Sequence, residues 1–450
     1  MSGAPPVVVN HKLEDVDANR RLNLWALIAF ALVIVNFVLI FVSWKPQWLA
    51  MGADEPVWVA NAVKYWKTGS PIGHVPLFHD LIYPFVAGKF VNFDTGYTLW
   101  RFSIYLSCVG LMFYVLLRIS NVWIAAILTL HFESLFTIYH SPTYLILALA
   151  FYLLALALVA RTPKLLGVAV GMLLLGSLVR LEVLAFTGAA LIMLAVFSRK
   201  AMFCRRFFKQ LLVPALLFIL LIYRHGSSIR TFPRDYVSRG QASAVWYAVE
   251  FLHSEGAFRK YTNAGRAAIP QDLIDLVLVE HFGKKQRDLV NSSALELWRR
   301  DPTLMEARLR DEFRRLPAML AEMSAIAPRY GSANINVAWK TLGMSFLPCV
   351  LAVIWLRKRT RRTARGWIVN LFGFTPVEPN KSLVNPEFLA LLLSGFAGFG
   401  PWLLTFPESY YMIVGVPVVY GGAALGMRFL TTRIGSAMTP SQKAAAAANP

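Results

Sequence analysis

The sequence predicts an all-α membrane protein, a polytopic helical bundle of about ten transmembrane spans with a mainly helical insert on the outer face. Three observations lead there. Of the 450 residues, 57% are hydrophobic and only 16% are charged, where a soluble chain carries about 25% charged residues. Apolar runs of the ~17–25 residues that a bilayer crossing requires recur along the chain. The Lys and Arg residues fall in short clusters between those runs, as the excess of positive charge in cytoplasmic loops demands. The same clustering accounts for the net charge of +20, so no nucleic-acid partner is expected.

The elements follow in chain order. Residues 1–23 form a polar tail, and no small-residue cleavage site follows the first apolar run. The first span, 24–44, is therefore expected to be an uncleaved anchor. A polar loop, 45–99, comes next. In it Trp58, Ala62, Tyr65 and Trp66 recur at helical spacing, the pattern of an amphipathic helix lying along the bilayer. Gly69, Pro71 and Gly73 punctuate the chain, and a second amphipathic piece covers residues 79–86. Further spans are expected at 100–117, 122–138 and 143–160. The apolar stretch 165–197 is too long for one crossing, and Arg180 and Glu182 interrupt it, so it divides into two short spans there. The seventh span is 211–223, which completes the first block of spans, 24–223.

Residues 224–338 form an insert whose runs 270–282, 292–300 and 303–323 have helical period and no strand alternation. The last three spans, at 339–356, 386–406 and 410–429, complete a second block, 339–429. A basic loop, 357–385, separates the first two of these, and its aromatic stretch 367–374 suits an interfacial helix. The tail 430–450 is low in complexity and expected to be disordered. With this set of spans the clusters at Arg20 and Arg21, Arg118, Arg161 and Lys164, Arg199 to Lys209, Arg357 to Arg365, and Arg428 and Arg433 all fall on one side. That side is the cytoplasm, which puts both termini inside and the first loop and the insert outside. The expected location is the bacterial inner membrane.

Several residues carry chemistry against this frame. Asp54 and Glu55 stand just beyond the first span, where a carboxylate could act as a base on a lipid-linked substrate or hold a metal that does so. Asp54 followed by Glu55 and Pro56 also suits a helix cap, and the two roles are compatible. Arg180 and Glu182 are ionisable residues in an apolar stretch, costly unless paired or functional. Arg180 suits a lipid phosphate, with Glu182 orienting it. His74, His79 and Asp80, with His131, Glu133 and His140, raise the possibility of a divalent metal, although no metal-binding spacing joins them. Glu133 inside a span wants a partner or a wet cavity. Arg329, Tyr330 and Lys340 lead into the eighth span, and Glu408, Tyr410 and Tyr411 flank the last two. Cys108, Cys204 and Cys349 are scattered and read as small packing residues.

A first span, an outward loop opening with Gly52-Ala53-Asp54-Glu55, a helix running from Pro76-Leu77-Phe78 through Tyr83-Pro84, and the break from Gly176 to Glu182 form a pattern. It resembles the GT-C superfamily of integral-membrane glycosyltransferases, in the style of the lipid A aminoarabinose transferases and protein O-mannosyltransferases. The stretch Pro407-Glu408-Ser409-Tyr410-Tyr411 is a looser echo of an element near that family's last spans. The resemblance implies transfer of a sugar from a polyprenyl-phosphate donor to a lipid, glycan or protein acceptor on the outer face. Asp54 would be the catalytic carboxylate with Glu55 beside it. Arg180, Glu182, His79, Arg329, Lys340 and Tyr410 would bind substrate. The chain departs from the family at His140-Ser141-Pro142-Thr143, where many relatives carry an acid, and at Glu408-Ser409, where they carry an Arg. The alternatives are a transporter or lipid flippase, against which stands the missing internal repeat, and a non-catalytic scaffold for envelope assembly.

Overall fold

The computed structural model describes residues 11–43, 55–69, 76–87, 92–138, 143–180, 183–225, 271–285, 288, 294–307, 310, 385–399 and 413–436. Among these every regular element is a helix. The long elements are α1 (His11–Ser43), α4 (Phe93–Ile119), α5 (Val122–Ile138), α6 (Thr143–Arg161), α9 (Arg205–Arg224) and α13 (Val416–Ser436). Shorter ones are α2 (Glu55–Thr68), α3 (Pro76–Val86), α7 (Leu166–Gly176), α8 (Val183–Phe197) and α12 (Pro386–Ser394). In the insert α10 (Gln271–Phe282) and α11 (Ala294–Arg300) pack together. The expected eighth span and residues 357–384 of the basic loop after it lie outside the described residues.

Four of the described helices are long and apolar enough to cross a membrane by length and composition: the apolar part of α1, α4, α6 and α9. The burial pattern fits that environment. α6 is central, with 72% of its apolar window buried, whereas α9 buries only 28% of its own. Leu212, Val213, Leu216 and Leu220 of α9 and Leu27, Leu39 and Val42 of α1 are exposed. In water such faces would forgo about 25 cal/mol for each Å² left wet; against lipid they cost nothing.

Close helix contacts hold the described interior. α6 packs against α4, α7 and α12. The Tyr152 hydroxyl in α6 donates to the carbonyls of Leu391 (3.0 Å) and Leu392 (2.8 Å) in α12. The buried Cys108 lies with Sγ 3.3 Å from the Ile146 carbonyl oxygen. α7 meets α9 through Gly167 and Gly171, a small-xxx-small pair of the kind that lets membrane helices approach closely. A Cβ on Gly167 would run into the Phe207 carbonyl oxygen, and one on Gly171 would lie 2.5 Å from Cγ of Pro214.

The helix ends sort into two groups. At one end Arg118 donates to the Ala160 carbonyl (3.3 Å) and Arg428 to that of Ile119 (3.0 Å). There Gln210 also donates to the Lys164 carbonyl (2.8 Å), and Asn385 both caps α12 and donates to Val159 (3.2 Å). Cationic and amide side chains there satisfy carbonyls that a helix C-terminus leaves open. The other end gathers α2, α3, the start of α6, the turn after α7 and the last residues of α9.

Boundaries differ from the hydropathy reading where a cap decides them. α4 begins at Phe93, ahead of its apolar run, because the Asn92 side chain accepts from the Thr95 N–H at 2.7 Å.

Candidate functional site

The candidate site is the end of the bundle that α2 and α3 cover. α3 starts with Pro76 at its first position, which needs no N–H there. The Leu77 N–H donates to the Leu178 carbonyl at 3.2 Å, which ties this helix to the turn that carries Arg180. Phe78 is buried edge-on against Tyr144 at the head of α6, ring centroids 6.1 Å apart. The Arg180 guanidinium lies 4.8 Å over the same Tyr144 ring, an arrangement in which the ring face attracts the cation.

The next two residues of α3 meet the end of α9. Asp80 has one carboxylate oxygen 3.7 Å from the Arg224 guanidinium and the other 3.4 Å from Nε2 of His225. His225 is buried, and Tyr65 of α2 lies nearly flat on it at 4.2 Å and 16°. The Tyr65 hydroxyl donates to the Arg224 carbonyl (3.2 Å), one of the acceptors left open where α9 stops. The guanidinium of Arg224 sits 4.4 Å over Trp66, and Trp66 stacks on Tyr83 at 4.7 Å. One side chain of α2 thus fixes the backbone of Arg224 and its neighbour fixes the side chain.

Charge follows from burial. Arg224 is 42% exposed and Asp80 only 12%, so this ion pair is worth about 1 kcal/mol or less and leaves a cation facing outward. His79 is fully buried beside it. Burial first and then His225 push its imidazole down from the usual value to about 4, against the opposing pull of Asp80. His79 is therefore neutral at physiological pH.

Of the residues singled out from the sequence, the structure joins His79 and Arg180 through α3 and Tyr144. Glu55 opens α2, and its side chain is not among those described. Asp54, Glu182, Arg329, Lys340 and Tyr410 lie outside the described residues. Arg224, His225, Tyr65 and Tyr144 were not recognised from the sequence as site residues. A signal existed for the first two, since they follow an apolar run at the end opposite the basic clusters. Among the described residues no three His, Cys, Asp or Glu side chains converge closely enough to hold a metal ion.

Farther into the bundle lie two polar contacts. Glu133 accepts from Asn36 Nδ2 at 2.6 Å, and His131 Nδ1 is 2.6 Å from the Tyr420 hydroxyl. Compared with protein-family models, curated proteins and solved structures, the chain has no match.

Proposed function

We propose that the chain is a membrane glycosyltransferase of the GT-C kind, with about ten spans, both termini in the cytoplasm and its working face outside the bacterial inner membrane. It moves a sugar from a polyprenyl-phosphate carrier to an envelope lipid, glycan or protein acceptor. In this reading Asp54 takes the proton of the acceptor hydroxyl as the acceptor oxygen bonds to the anomeric carbon. The bond from that carbon to the carrier's phosphate oxygen breaks in the same step, which inverts the configuration. The departing polyprenyl phosphate keeps the electron pair and needs cations to meet it.

One observation carries the reading. The end of the bundle beneath α2 and α3 offers a partly exposed guanidinium, Arg224, held by Asp80 and Trp66 while Tyr65 fixes its backbone carbonyl, with Arg180 tied to the same helix α3 through Tyr144. Cations held by aromatic rings suit a phosphate that must be bound and then released.

The test is to delete the gene, complement with wild type, Asp54→Asn or Arg224→Gln, and compare envelope glycans and lipids by mass spectrometry. Loss of one sugar mass, restored by wild type alone, supports the reading. An unchanged profile in the deletion strain defeats it. Rescue by Asp54→Asn would keep the activity and remove that carboxylate from it.

The buried Asn36–Glu133 pair favours a second reading, a transporter or flippase, because a carboxyl deep in an apolar bundle commonly marks a pathway. In that case Glu133→Gln abolishes function and the loss of Asp54 does not.

A further inference from the structure

A groove of about 540 Å³ opens beside α2, away from the Asp80 cluster, a volume within the range of ligand-sized sites. Val59, Ala60 and Val63 of α2, Val86 at the end of α3 and Phe93 at the start of α4 make it apolar. Lys64, Lys67 and Thr68 complete it. Lys64 and Lys67 are three apart on the helix, so both ammonium groups reach the same side. Val59 and Val63 are four apart and form the floor below them.

Two things about these lysines call for a ligand. Both are exposed, and neither has an acidic partner among the described residues. They also sit on the helix that binds the end of α9, opposite the end where Arg118 and Arg428 cap carbonyls. Positive charge is not favoured on that side by insertion. A lysine whose stem lies along apolar side chains and whose ammonium stays at the polar surface is built to meet a headgroup.

We infer that this groove seats an anionic phospholipid of the surrounding bilayer, an acyl chain along Val59, Val63, Val86 and Phe93 and the phosphate on Lys64 and Lys67. Charge complementarity selects the headgroup and the apolar floor selects a lipid over a free anion. The inference rests on the proposed orientation of the chain but not on the transferase chemistry, since it needs neither Asp54 nor a sugar.

The experiment uses the full chain in nanodiscs containing a phosphatidylglycerol or a phosphatidylcholine probe with a photoreactive acyl chain. Crosslinked peptides are mapped by mass spectrometry. The peptides spanning Val59 to Thr68 and Val86 to Phe93 should label several-fold more with phosphatidylglycerol, about fivefold for each lysine engaged. The double variant Lys64→Gln, Lys67→Gln should lower that excess to the phosphatidylcholine level, while labelling of α1 and α9 stays unchanged. In the wild type the excess should also collapse in ~0.5 M salt, which screens the headgroup charge. Equal labelling by both probes, an excess that survives the double variant, or labelling confined to α1 and α9 overturns the inference. An excess displaced by inorganic phosphate at millimolar concentration also overturns it, since the site would then be an anion site without a lipid.

Discussion

Asn36 of α1 and Glu133 of α5 are joined side chain to side chain by a 2.6 Å hydrogen bond with both residues buried. The contact bridges 97 positions of sequence and is an interhelical polar clasp between α1 and α5, which also meet through the rings of Trp25 and Trp123.

Asn36→Leu removes the donor and leaves a buried carboxyl behind. Interhelical hydrogen bonds of this kind are worth about 0.6 kcal/mol on average in a membrane protein, and up to about 1.7. The variant should lose stability on that scale or somewhat beyond it in detergent unfolding. Glu133→Gln keeps a carbonyl acceptor and should remain within a few tenths of a kcal/mol of wild type, a contrast that a double-mutant cycle measures directly.

Gly171→Leu should be far more damaging than its surface suggests. Its Cβ would already lie 2.5 Å from one Pro214 ring atom and 2.6 Å from another. Overpacking of this sort costs about 1–3 kcal/mol. The readout is monodispersity and thermal midpoint after purification. Gly188→Leu is the control, because nothing lies near a Cβ at that position, and it should behave as wild type.

Acid should destabilise this end of the bundle through His79. Its folded value of about 4 lies below the ~6.5 of an unfolded chain. Between those limits the unfolded state binds more protons, so stability falls as pH falls. The contribution is complete above about pH 6.5 and gone below about pH 4, and it amounts to no more than about 3 kcal/mol. Unfolding midpoints from pH 8 to 4 should show this slope in wild type and a shallower one in His79→Gln.

Asp80→Asn should separate stability from activity. Its Arg224 partner is 42% exposed and held at 3.7 Å, so the unfolding midpoint should move by about 1 kcal/mol or less. Arg224 would lose its anchor, and on the proposed transferase reading the sugar transfer read in the complementation assay should fall by about tenfold or more. Arg224→Lys should not rescue, because an ammonium does not reproduce the flat contact on Trp66. A large stability loss with unchanged transfer would make Asp80 purely structural.

Much of the fold was legible because lipid-facing helices are apolar along their length. The break at Arg180 showed itself as charge in an apolar run, and the two helices after the first span as a period. What the chain did not disclose is pairing. Asp80 and His225 are 145 positions apart, and His131 and Tyr420 are 289 apart. Nothing in the local sequence of either partner names the other. Gly167 and Gly171 had readable spacing, but their importance comes from Phe207 and Pro214 on another helix. The start of α4 was missed because an Asn92 side chain, not hydropathy, sets it.

The short hairpin of α7 and α8 has a mechanical consequence. α7 has 11 residues and α8 has 15, about 16 and 22 Å of helix against a hydrocarbon slab of ~30 Å. Even with the Pro163–Leu165 turn added to α7, each helix is shorter than a hydrocarbon slab. Such mismatch is relieved by thinning the bilayer locally or by letting water dip into it. If α7 and α8 cross the bilayer as two of the proposed spans, the polar surface comes down toward Arg180, and a headgroup of the proposed donor would travel a shorter path to that guanidinium.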